Sequence, residues 1–337
     1  MTDVNAPVVL SGLRPTGRVH LGNYFGAVKN WVDLQNSGSY RCYFFVADLH
    51  ALTTDYANTA ALATYTREAV LDWLAVGLDP RRATIFLQSR IPQHAELALY
   101  FSMITPLGWL ERVPTYKDQI EALRSRDLAT HGFLGYPVLM TADIALYRSN
   151  FVPVGEDQAS HLEICREIVR RFNGFYGPVF PEPKALFTPT PKINGVDGRK
   201  MSKSYNNTIG VTEPKASVAE KVMAMVTDPA RVRRQDPGNP DHCNLFPFHR
   251  LFSPPEEVSV VDRECRTAAR GCVDCKRHLI GNLNSALEPF RQRRAELESE
   301  SDDVVRAALH AGDEAAKRVA EETMEQVRQA VRLSPEP

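Results

Sequence analysis

The stretch VVLSGLRPTGRVHLGN, residues 8–23, decides how this chain folds and where its chemistry lies. Its apolar start, Val8–Leu10, is typical of a strand, and the Gly- and Pro-containing segment that follows predicts a turn leading into a helix. Gly17 and Gly22 allow the backbone to approach a bound group closely, and the first turn of the new helix offers free N–H groups to an anion. A second stretch, KMSKS at residues 200–204, places two cations and two hydroxyls in a loop. Together the two stretches predict a nucleotide site built from distant parts of the chain.

Strand and helix patterns alternate through the first part of the chain. Short apolar runs predict four strands, at Val8–Leu10, Cys42–Ala47, Ala83–Leu87 and Phe151–Val154. Helical periodicity follows three of them, at residues 21–34, at residues 59–76 and from Gly155 to about Phe172. This alternation predicts an α/β fold, a Rossmann-like doubly wound parallel sheet.

The later part of the chain reads differently. Residues 181–190 are rich in proline, and we expect irregular structure there. Beyond the KMSKS loop the pattern is helical only. We therefore expect a catalytic domain at residues 1–210 that ends in this loop, and an all-helical C-terminal domain at residues 211–337.

Composition sets broad limits on the class of protein. The chain has 337 residues, with 40 basic and 41 acidic side chains, so its net charge of −1 argues neither for nor against a nucleic acid partner. The start of the chain lacks the pattern of a secretory signal, and no stretch approaches the ~18–20 apolar residues that a membrane helix needs. We expect a soluble, cytoplasmic protein without a membrane partner, in which the six cysteines are thiols or metal ligands rather than disulfides.

The two loop stretches suit the activation of a carboxylate by ATP. In that reaction negative charge grows on the α-phosphate and on the leaving pyrophosphate, and the protein has to place positive charge and N–H donors there. His20, the backbone of Asn23 and the ammonium of Lys203 are suitable groups. Each has an ordinary alternative, because His20 can cap a helix and Lys200 and Lys203 can be solvated. The pair of stretches, 180 residues apart, favours the nucleotide site.

These residues resemble the signature motifs of class I aminoacyl-tRNA synthetases. His20-Leu21-Gly22-Asn23 is similar to the HIGH motif, and residues 200–204 match the KMSKS motif letter for letter. Asn23 departs from the final histidine of the first motif, a departure that is common in the tryptophan branch of that class.

The apolar stretch Gly135–Tyr147 carries one carboxylate, Asp143. An indole ring has one N–H donor and no acceptor, so a carboxylate in an apolar pocket suits it. The alternative is that Asp143 pairs with a neighbouring group. Further along, Gly155 and Asp157 stand at a strand-to-helix junction, where a carboxylate can accept from ribose hydroxyls, and Gln158 can accept from a substrate ammonium. Ordinary acidic charge at a helix N-terminus is the alternative there.

Over essentially its whole length the chain resembles the bacterial tryptophanyl-tRNA synthetases. The resemblance implies formation of tryptophanyl-adenylate from L-tryptophan and ATP with Mg²⁺, transfer to tRNA(Trp), and a homodimer. It implies catalytic roles for His20, Asn23, Lys200 and Lys203. For ATP binding it implies Arg14, Thr16, Gly22, Asn23, Gly155, Asp157, Lys200, Met201, Ser202, Lys203 and Ser204. For tryptophan binding it implies His50, Tyr136, Met140, Asp143 and Gln158. Arg14 stands where many relatives have glutamine.

Four cysteines, Cys243, Cys265, Cys272 and Cys275, crowd into one region. Such a set can bind a [4Fe–4S] cluster or one Zn²⁺ ion. Because a minority of tryptophanyl-tRNA synthetases carry an iron–sulfur cluster with nearly this spacing, we rank [4Fe–4S] first, with zinc and free thiols as the alternatives. Residues 231–294 hold twelve Arg and Lys against eight Asp and Glu, a net +4, and the resemblance assigns this region to the tRNA anticodon.

Two other functions are compatible with part of these motifs. The tyrosyl-tRNA synthetases share the fold and both motifs, but the runs at residues 136–143 and 154–158 favour tryptophan. A non-catalytic, iron–sulfur, nucleic-acid-binding paralogue is the second alternative. Intact His20, Lys200 and Lys203 argue against it.

Overall fold

Five parallel strands form the centre of the fold. The computed structural model describes residues 5–113, 130–155, 159–187, 193–300 and 303–333. The strands are β1 (Val8–Leu13), β2 (Arg41–Val46), β3 (Ala83–Leu87), β4 (Phe151–Val154) and β5 (Lys184–Phe187). They lie in the order β3-β2-β1-β4-β5, and every neighbouring pair is parallel. The predicted doubly wound parallel sheet is confirmed. Its strand order reverses between β1 and β4, where such sheets open a crevice at their carboxyl ends.

Helices cover both faces of the sheet and continue beyond it. Before residue 210 they are α1 (Leu21–Asn23), α2 (Lys29–Ser37), α3 (Asp48–Asp55), α4 (Leu62–Ala75), α5 (Gln93–Ile104), α6 (Leu107–Leu110), α7 (His131–Leu134), α8 (Tyr136–Leu146) and α9 (Ala159–Tyr176). A π-helical turn, Tyr24–Val28, joins α1 to α2. After residue 210 come α10 (Lys215–Ala224), α11 (Phe246–Phe252), α12 (Pro255–Arg266), α13 (Cys272–Ser299) and α14 (Val304–Ala330), as the helical pattern predicted.

The prediction of irregular structure at residues 181–190 is wrong in part, because β5 occupies Lys184–Phe187. Two prolines, Pro181 and Pro183, immediately precede this strand and hide its short apolar run. A proline just outside a strand is tolerated at the edge of a sheet, and β5 is an edge strand with β4 as its neighbour.

Alternate strand residues supply two hydrophobic cores, one on each face of the sheet. On one face Phe44 stacks on Trp31 at 4.8 Å, and Trp73 packs edge-on against Trp31 at 5.2 Å. On the other face Phe45 stacks on Phe86 at 5.4 Å, within a core that α5, α8 and α9 complete. Packing on both faces fixes the positions of the strands, and the crevice opens at the carboxyl ends of β1 and β4.

The last helix, α14, returns to the sheet and covers its edge strand β3. The carboxylate of Asp313 accepts from the backbone N–H of Leu87 at 2.8 Å, which satisfies a donor that an edge strand would otherwise expose. Ala320 and Met324 are fully buried in the core beside β3. The boundary near residue 210 stays a prediction, and α14 is part of the same core as the strands.

In the described ranges, the longer helices are too polar to serve as membrane spans and the apolar ones are too short.

Candidate active site

A cavity of about 430 Å³ lies at the carboxyl ends of β1 and β4, where the strand order reverses. Its size is in the range of small-molecule sites. Six of the predicted site residues line it together, namely Arg14, His50, Tyr136, Met140, Asp143 and Gly155. Two more, Asp157 and Gln158, lie outside the described residues.

Asp143 lies in the wall of this cavity, with a side chain only 1% exposed. Its Oδ1 accepts from Gln88 Nε2 at 2.7 Å and from His94 Nδ1 at 2.6 Å, and its Oδ2 accepts from His50 Nε2 at 2.8 Å. Burial would raise the pKa of Asp143, but His50 and His94 outweigh it and hold the pKa below its usual value. The carboxylate is therefore charged, and it has the polar partners that the alternative reading of this residue required.

His94 and Gln88 are site residues that sequence reasoning missed. Both are fully buried. His94 Nε2 lies 2.9 Å from the hydroxyl of Tyr147, whose pKa is held well above its usual value by burial and by the charge of Asp143. Because a carboxylate only accepts, Nδ1 of His94 carries a proton toward Asp143, and a neutral imidazole then accepts from the Tyr147 hydroxyl at Nε2. His94 stands between Gln93 and Ala95 at the start of a helix, and nothing in this local sequence indicates its partner.

Tyr136 faces the cavity at the start of α8. Its hydroxyl lies 2.7 Å from Nε2 of His161, a second cavity residue that the motifs did not indicate. Met140 lies one helical turn further along, half-buried, and forms apolar wall. The cavity thus combines apolar surface with a few oriented polar groups, as specific small-molecule sites do.

The two signature segments meet beside this cavity. Leu21 N donates to Ile209 O at 2.8 Å and Val211 N donates to Val19 O at 2.9 Å, so the chain leaving the KMSKS loop pairs with the segment around His20. His20 Nδ1 accepts from the backbone N–H of Asn23 at 3.2 Å, and His20 therefore does cap the helix. Burial and the neighbouring Lys203 lower the pKa of His20 to about 4, so its imidazole is neutral at neutral pH.

Lys203 reaches back onto the first segment. Its ammonium donates to the backbone carbonyl of Thr16 and lies 3.4 Å from the Thr16 hydroxyl. The backbone N–H of Gly22 donates to Met201 Sδ at 3.3 Å. Burial lowers the pKa of Lys203 to about 8, against an opposing effect of the carboxylate of Asp72. The structure therefore brings four predicted residues of the two segments, Thr16, Gly22, Met201 and Lys203, into contact.

The other predicted loop residues are placed less directly. Ser202 N donates to Asn207 Oδ1 at 2.8 Å, and the hydroxyls of Ser202 and Ser204 lie 2.9 Å apart. Lys200 is exposed, and its backbone carbonyl accepts from Asn207 Nδ2 at 3.0 Å. In the described part of the chain, the ammonium of Lys200 does not join that of Lys203 at Thr16.

The four clustered cysteines are half-buried free thiols. Cys243, Cys265 and Cys275 each have a pKa raised by burial first and by neighbouring cysteines of the set, and for Cys275 the pKa reaches about 12. Cys275 Sγ also lies 3.3 Å from His249 Nε2. The thiols are thus neighbours. Nevertheless, no three His, Cys, Asp or Glu side chains of the described residues are arranged to hold a metal ion, so the predicted ligand set is not preformed.

Comparison with known proteins gives consistent results. Residues 3–288 match the family described as tRNA synthetases class I (W and Y). The tryptophan–tRNA ligase of Thermotoga maritima is 49% identical, with 96% of this chain and 99% of the relative covered, and that of Aquifex aeolicus is 43% identical with the same shares.

Solved structures agree with the sequence relatives. The tryptophanyl-tRNA synthetase of Campylobacter jejuni, complexed with ADP and tryptophan, superposes with a TM-score of 0.85 at 33% identity, covering 96% of this chain and 99% of that one. A tyrosyl-tRNA synthetase of Archaeoglobus fulgidus, at 22% identity and a TM-score of 0.65, shares the fold. The chain therefore belongs to the class I tRNA synthetases of the tryptophan and tyrosine group, and within them to the tryptophan–tRNA ligases.

Proposed function

We propose that this chain is a tryptophan–tRNA ligase that forms tryptophanyl-adenylate and pyrophosphate from L-tryptophan and ATP, then transfers the tryptophanyl group to tRNA(Trp). One observation carries the proposal. Arg14 lines the amino-acid cavity, and Thr16, two residues further, receives the ammonium of Lys203. A carboxylate bound in the cavity would therefore lie next to the segments that suit the phosphates of ATP.

The chemistry is an in-line displacement at the α-phosphorus. A carboxylate oxygen of tryptophan forms the new P–O bond while the bond to the leaving pyrophosphate breaks, with no oxidation or reduction. Negative charge that develops on the phosphates is met by the ammonium of Lys203 and by the Nε2–H group of His20, since Nδ1 of this neutral imidazole is the acceptor of the helix cap. Mg²⁺ enters bound to ATP and carries part of the pyrophosphate charge. In the second step the 3′-terminal adenosine hydroxyl of the tRNA attacks the activated carbonyl and releases AMP.

Recognition of tryptophan is assigned to the cavity walls. Gln88 and His94 occupy Oδ1 of Asp143 from the protein interior, whereas Oδ2 is approached by His50, whose side chain is 13% exposed. Oδ2 is therefore the oxygen that we assign to the indole N–H. We place Tyr136 and Gln158 at the amino group, Met140 and His50 against the ring, and Asp157 with Gly155 at the ribose of ATP.

The test is ATP–pyrophosphate exchange with tryptophan and with tyrosine, followed by charging of tRNA(Trp). We expect exchange with tryptophan only. Exchange with tyrosine alone would make the chain a tyrosine enzyme, and exchange with neither would support the non-catalytic paralogue.

We assign residues 1–210 to catalysis and residues 211–337 to the tRNA anticodon, in a cytoplasmic homodimer. The local excess of basic over acidic side chains in residues 231–294 supports the tRNA assignment. For the dimer, exposed apolar side chains on α5 and at the start of α6, Leu99, Met103 and Leu107, offer a face that water solvates poorly. Light scattering on the eluted protein measures the mass of the particle, and a monomer at micromolar concentration contradicts the dimer.

We also propose that Cys243, Cys265, Cys272 and Cys275 hold a [4Fe–4S] cluster, with Zn²⁺ as the alternative. Support comes from the closeness of the thiols, because burial and then neighbouring cysteines of the set raise the pKa of Cys243, Cys265 and Cys275. A bound cluster would tie the segment before α11 to α12 and to the start of α13. Anaerobic purification followed by iron, sulfide and zinc analysis tests this. A preparation without iron and sulfide removes the cluster, and stoichiometric zinc would replace it.

A further inference from the structure

Asp72, on α4, is a fully buried carboxylate outside the cavity. Its Oδ2 accepts from the backbone N–H of Val19 at 2.7 Å, and its Oδ1 accepts from the hydroxyl of Thr212 at 2.8 Å and from Arg294 Nη1 at 2.5 Å. Arg294 lies on α13 and is itself 4% exposed. Three distant parts of the chain therefore donate hydrogen bonds to one carboxylate.

Each of these partners adjoins a functional segment. Val19 immediately precedes His20, and its carbonyl accepts from Val211 N, next to Thr212, on the chain that leaves the KMSKS loop. Arg294 belongs to the helical region that we assign to the tRNA. Its second nitrogen bonds Glu68, which also pairs with Arg18 of the first segment at 2.9 Å. One ion pair thus contacts the first signature segment, the chain that leaves the KMSKS loop, and α13.

The energetics make this arrangement cooperative. A buried carboxylate that loses its cation is left with an uncompensated charge, and removing one partner of a buried pair is strongly destabilising for that reason. The carboxylate of Asp72 therefore has its Arg294 partner beside Val19 and Thr212 only while α13 is docked. That charge also reaches Lys203, because it opposes the fall in the pKa of Lys203 that burial causes.

We infer that Asp72 and Arg294 are positioning residues for adenylate formation, which couple the docking of α13 to the placement of His20 and Lys203. Neither touches the substrates. Both act through Val19 and Thr212, which flank the isolated β-bridge between His20 and Gly210 where the first segment meets the chain that leaves the KMSKS loop. The inference rests on the proposed function in one respect, the role of these segments toward ATP.

We call Asp72 and its three partners, Val19, Thr212 and Arg294, the hub. The test compares variants that change the hub with one that changes only an exposed contact of Arg294. Asp72→Asn keeps the shape of the side chain but turns one acceptor toward Arg294 and Thr212 into a donor. Thr212→Val removes one hydroxyl and leaves the ion pair. The matched control is Glu298→Gln, since Glu298 also pairs with Arg294, at 3.0 Å, from an exposed position on the same helix.

In tryptophan-dependent ATP–pyrophosphate exchange, measured well below the melting temperature of each variant, we expect kcat to fall about 10- to 100-fold for Asp72→Asn, because small displacements of aligned groups cost that much. Thr212→Val should lose less, and Glu298→Gln should stay within about twofold of the parent because exposed pairs contribute little. The KM for tryptophan should not change, since the cavity is separate from the hub. A purely structural ion pair would lower the melting temperature while the folded enzyme kept its kcat, and that result overturns the inference.

A double-variant cycle with Lys203→Ala provides a second readout. Groups that act as one unit give losses that do not multiply, whereas independent groups give losses that do. We expect Asp72→Asn to cost much less in the Lys203→Ala background than alone, and full multiplication overturns the inference. If the parent chain shows no exchange with tryptophan, the proposed function fails instead. The hub is then judged by ATP binding in a calorimeter, which should weaken in Asp72→Asn and not in Glu298→Gln.

Discussion

At the scale of single residues, the charge of Asp143 depends on groups that the substrate never touches. When His94 is neutral, the hydroxyl of Tyr147 donates to Nε2 at 2.9 Å, and the imidazole proton on Nδ1 is directed at Asp143 Oδ1 at 2.6 Å. Tyr147→Phe leaves a buried acceptor unpaired, at a cost of about 1–3 kcal/mol, and frees the imidazole to turn. A loss of about 1.4 kcal/mol corresponds to a factor of ten, so we expect kcat/KM for tryptophan to fall about tenfold. The KM for ATP in pyrophosphate exchange should not change.

The substrate that separates recognition from stability is a tryptophan analogue with sulfur in place of the indole N–H. The preference of the parent enzyme for tryptophan over this analogue should shrink in Tyr147→Phe. Tyr43→Phe is the matched control, because Tyr43 stacks on Tyr147 at 5.1 Å but its hydroxyl accepts from Arg41 at 3.2 Å, away from Asp143. An unchanged preference in Tyr147→Phe would remove this network from recognition.

Lys203 gives the site a pH dependence. Its pKa is lowered to about 8 by burial, so the ammonium is present below that pH and is lost as the pH rises through it. Because kcat/KM reports the free enzyme, kcat/KM for ATP should decline above about pH 8. Lys203→Arg retains a cation at every working pH. Its rate should be lower but flat over this range, and a decline in both proteins would place the titration on another group.

The residues of the site divide into those that local sequence predicts and those that it cannot. His20, Gly22 and Lys203 lie in short motifs whose spacing follows from a turn or a loop, and the family and activity that they indicate are confirmed. Gln88 and His94 reach Asp143 across 55 and 49 residues, from a turn after β3 and from α5. Local sequence periodicity does not predict such long-range contacts, because they result from the tertiary packing of elements whose own patterns are independent of one another.

At the scale of elements, α14 shows how a helix closes the edge of a sheet. A Cβ placed on Gly312 would lie 1.8 Å from the backbone carbonyl oxygen of Ile85, so only glycine lets α14 approach β3 this closely. The helical pattern of α14 was readable from sequence. Its partner was not, because the same apolar stripe would suit packing against other helices.

Gly312→Ala should therefore destabilise the protein by about 3 kcal/mol, the upper part of the range for overpacking, because the clashing atom is backbone and cannot turn away. Chemical unfolding measures the change. Gly281→Ala, in α13, is the control, since a Cβ there meets no atom within 4 Å and the glycine is exposed. It should stabilise by about 0.5–1 kcal/mol, through reduced freedom of the unfolded chain and higher helix propensity. A stable Gly312→Ala would mean that α14 can shift off β3 at little cost.

At the scale of the whole molecule, the functional division proposed near residue 210 differs from the way the cores are built. Sequence pattern separates a strand-containing part from a helical one, since secondary structure changes there. Each of the two hydrophobic cores contains residues from both sides of residue 210. Leu279, Leu283 and Leu287 of α13 belong to the core on one face of the sheet, and Met324 and Val327 of α14 belong to the core on the other.

A shortened chain of residues 1–210 should consequently fail to fold by itself. Those five buried side chains contribute about 2 kcal/mol each, and the resulting ~10 kcal/mol is comparable to the whole stability of a typical domain. We expect no cooperative thermal transition, a weak near-ultraviolet circular dichroism signal and no pyrophosphate exchange. Co-expression with residues 211–337 as a separate chain is the control, because the missing contacts are non-covalent, and it should restore both the transition and the exchange. A cooperative transition of residues 1–210 alone would show that the sheet keeps its core without α13 and α14, and the proposed boundary would then also separate two folding units.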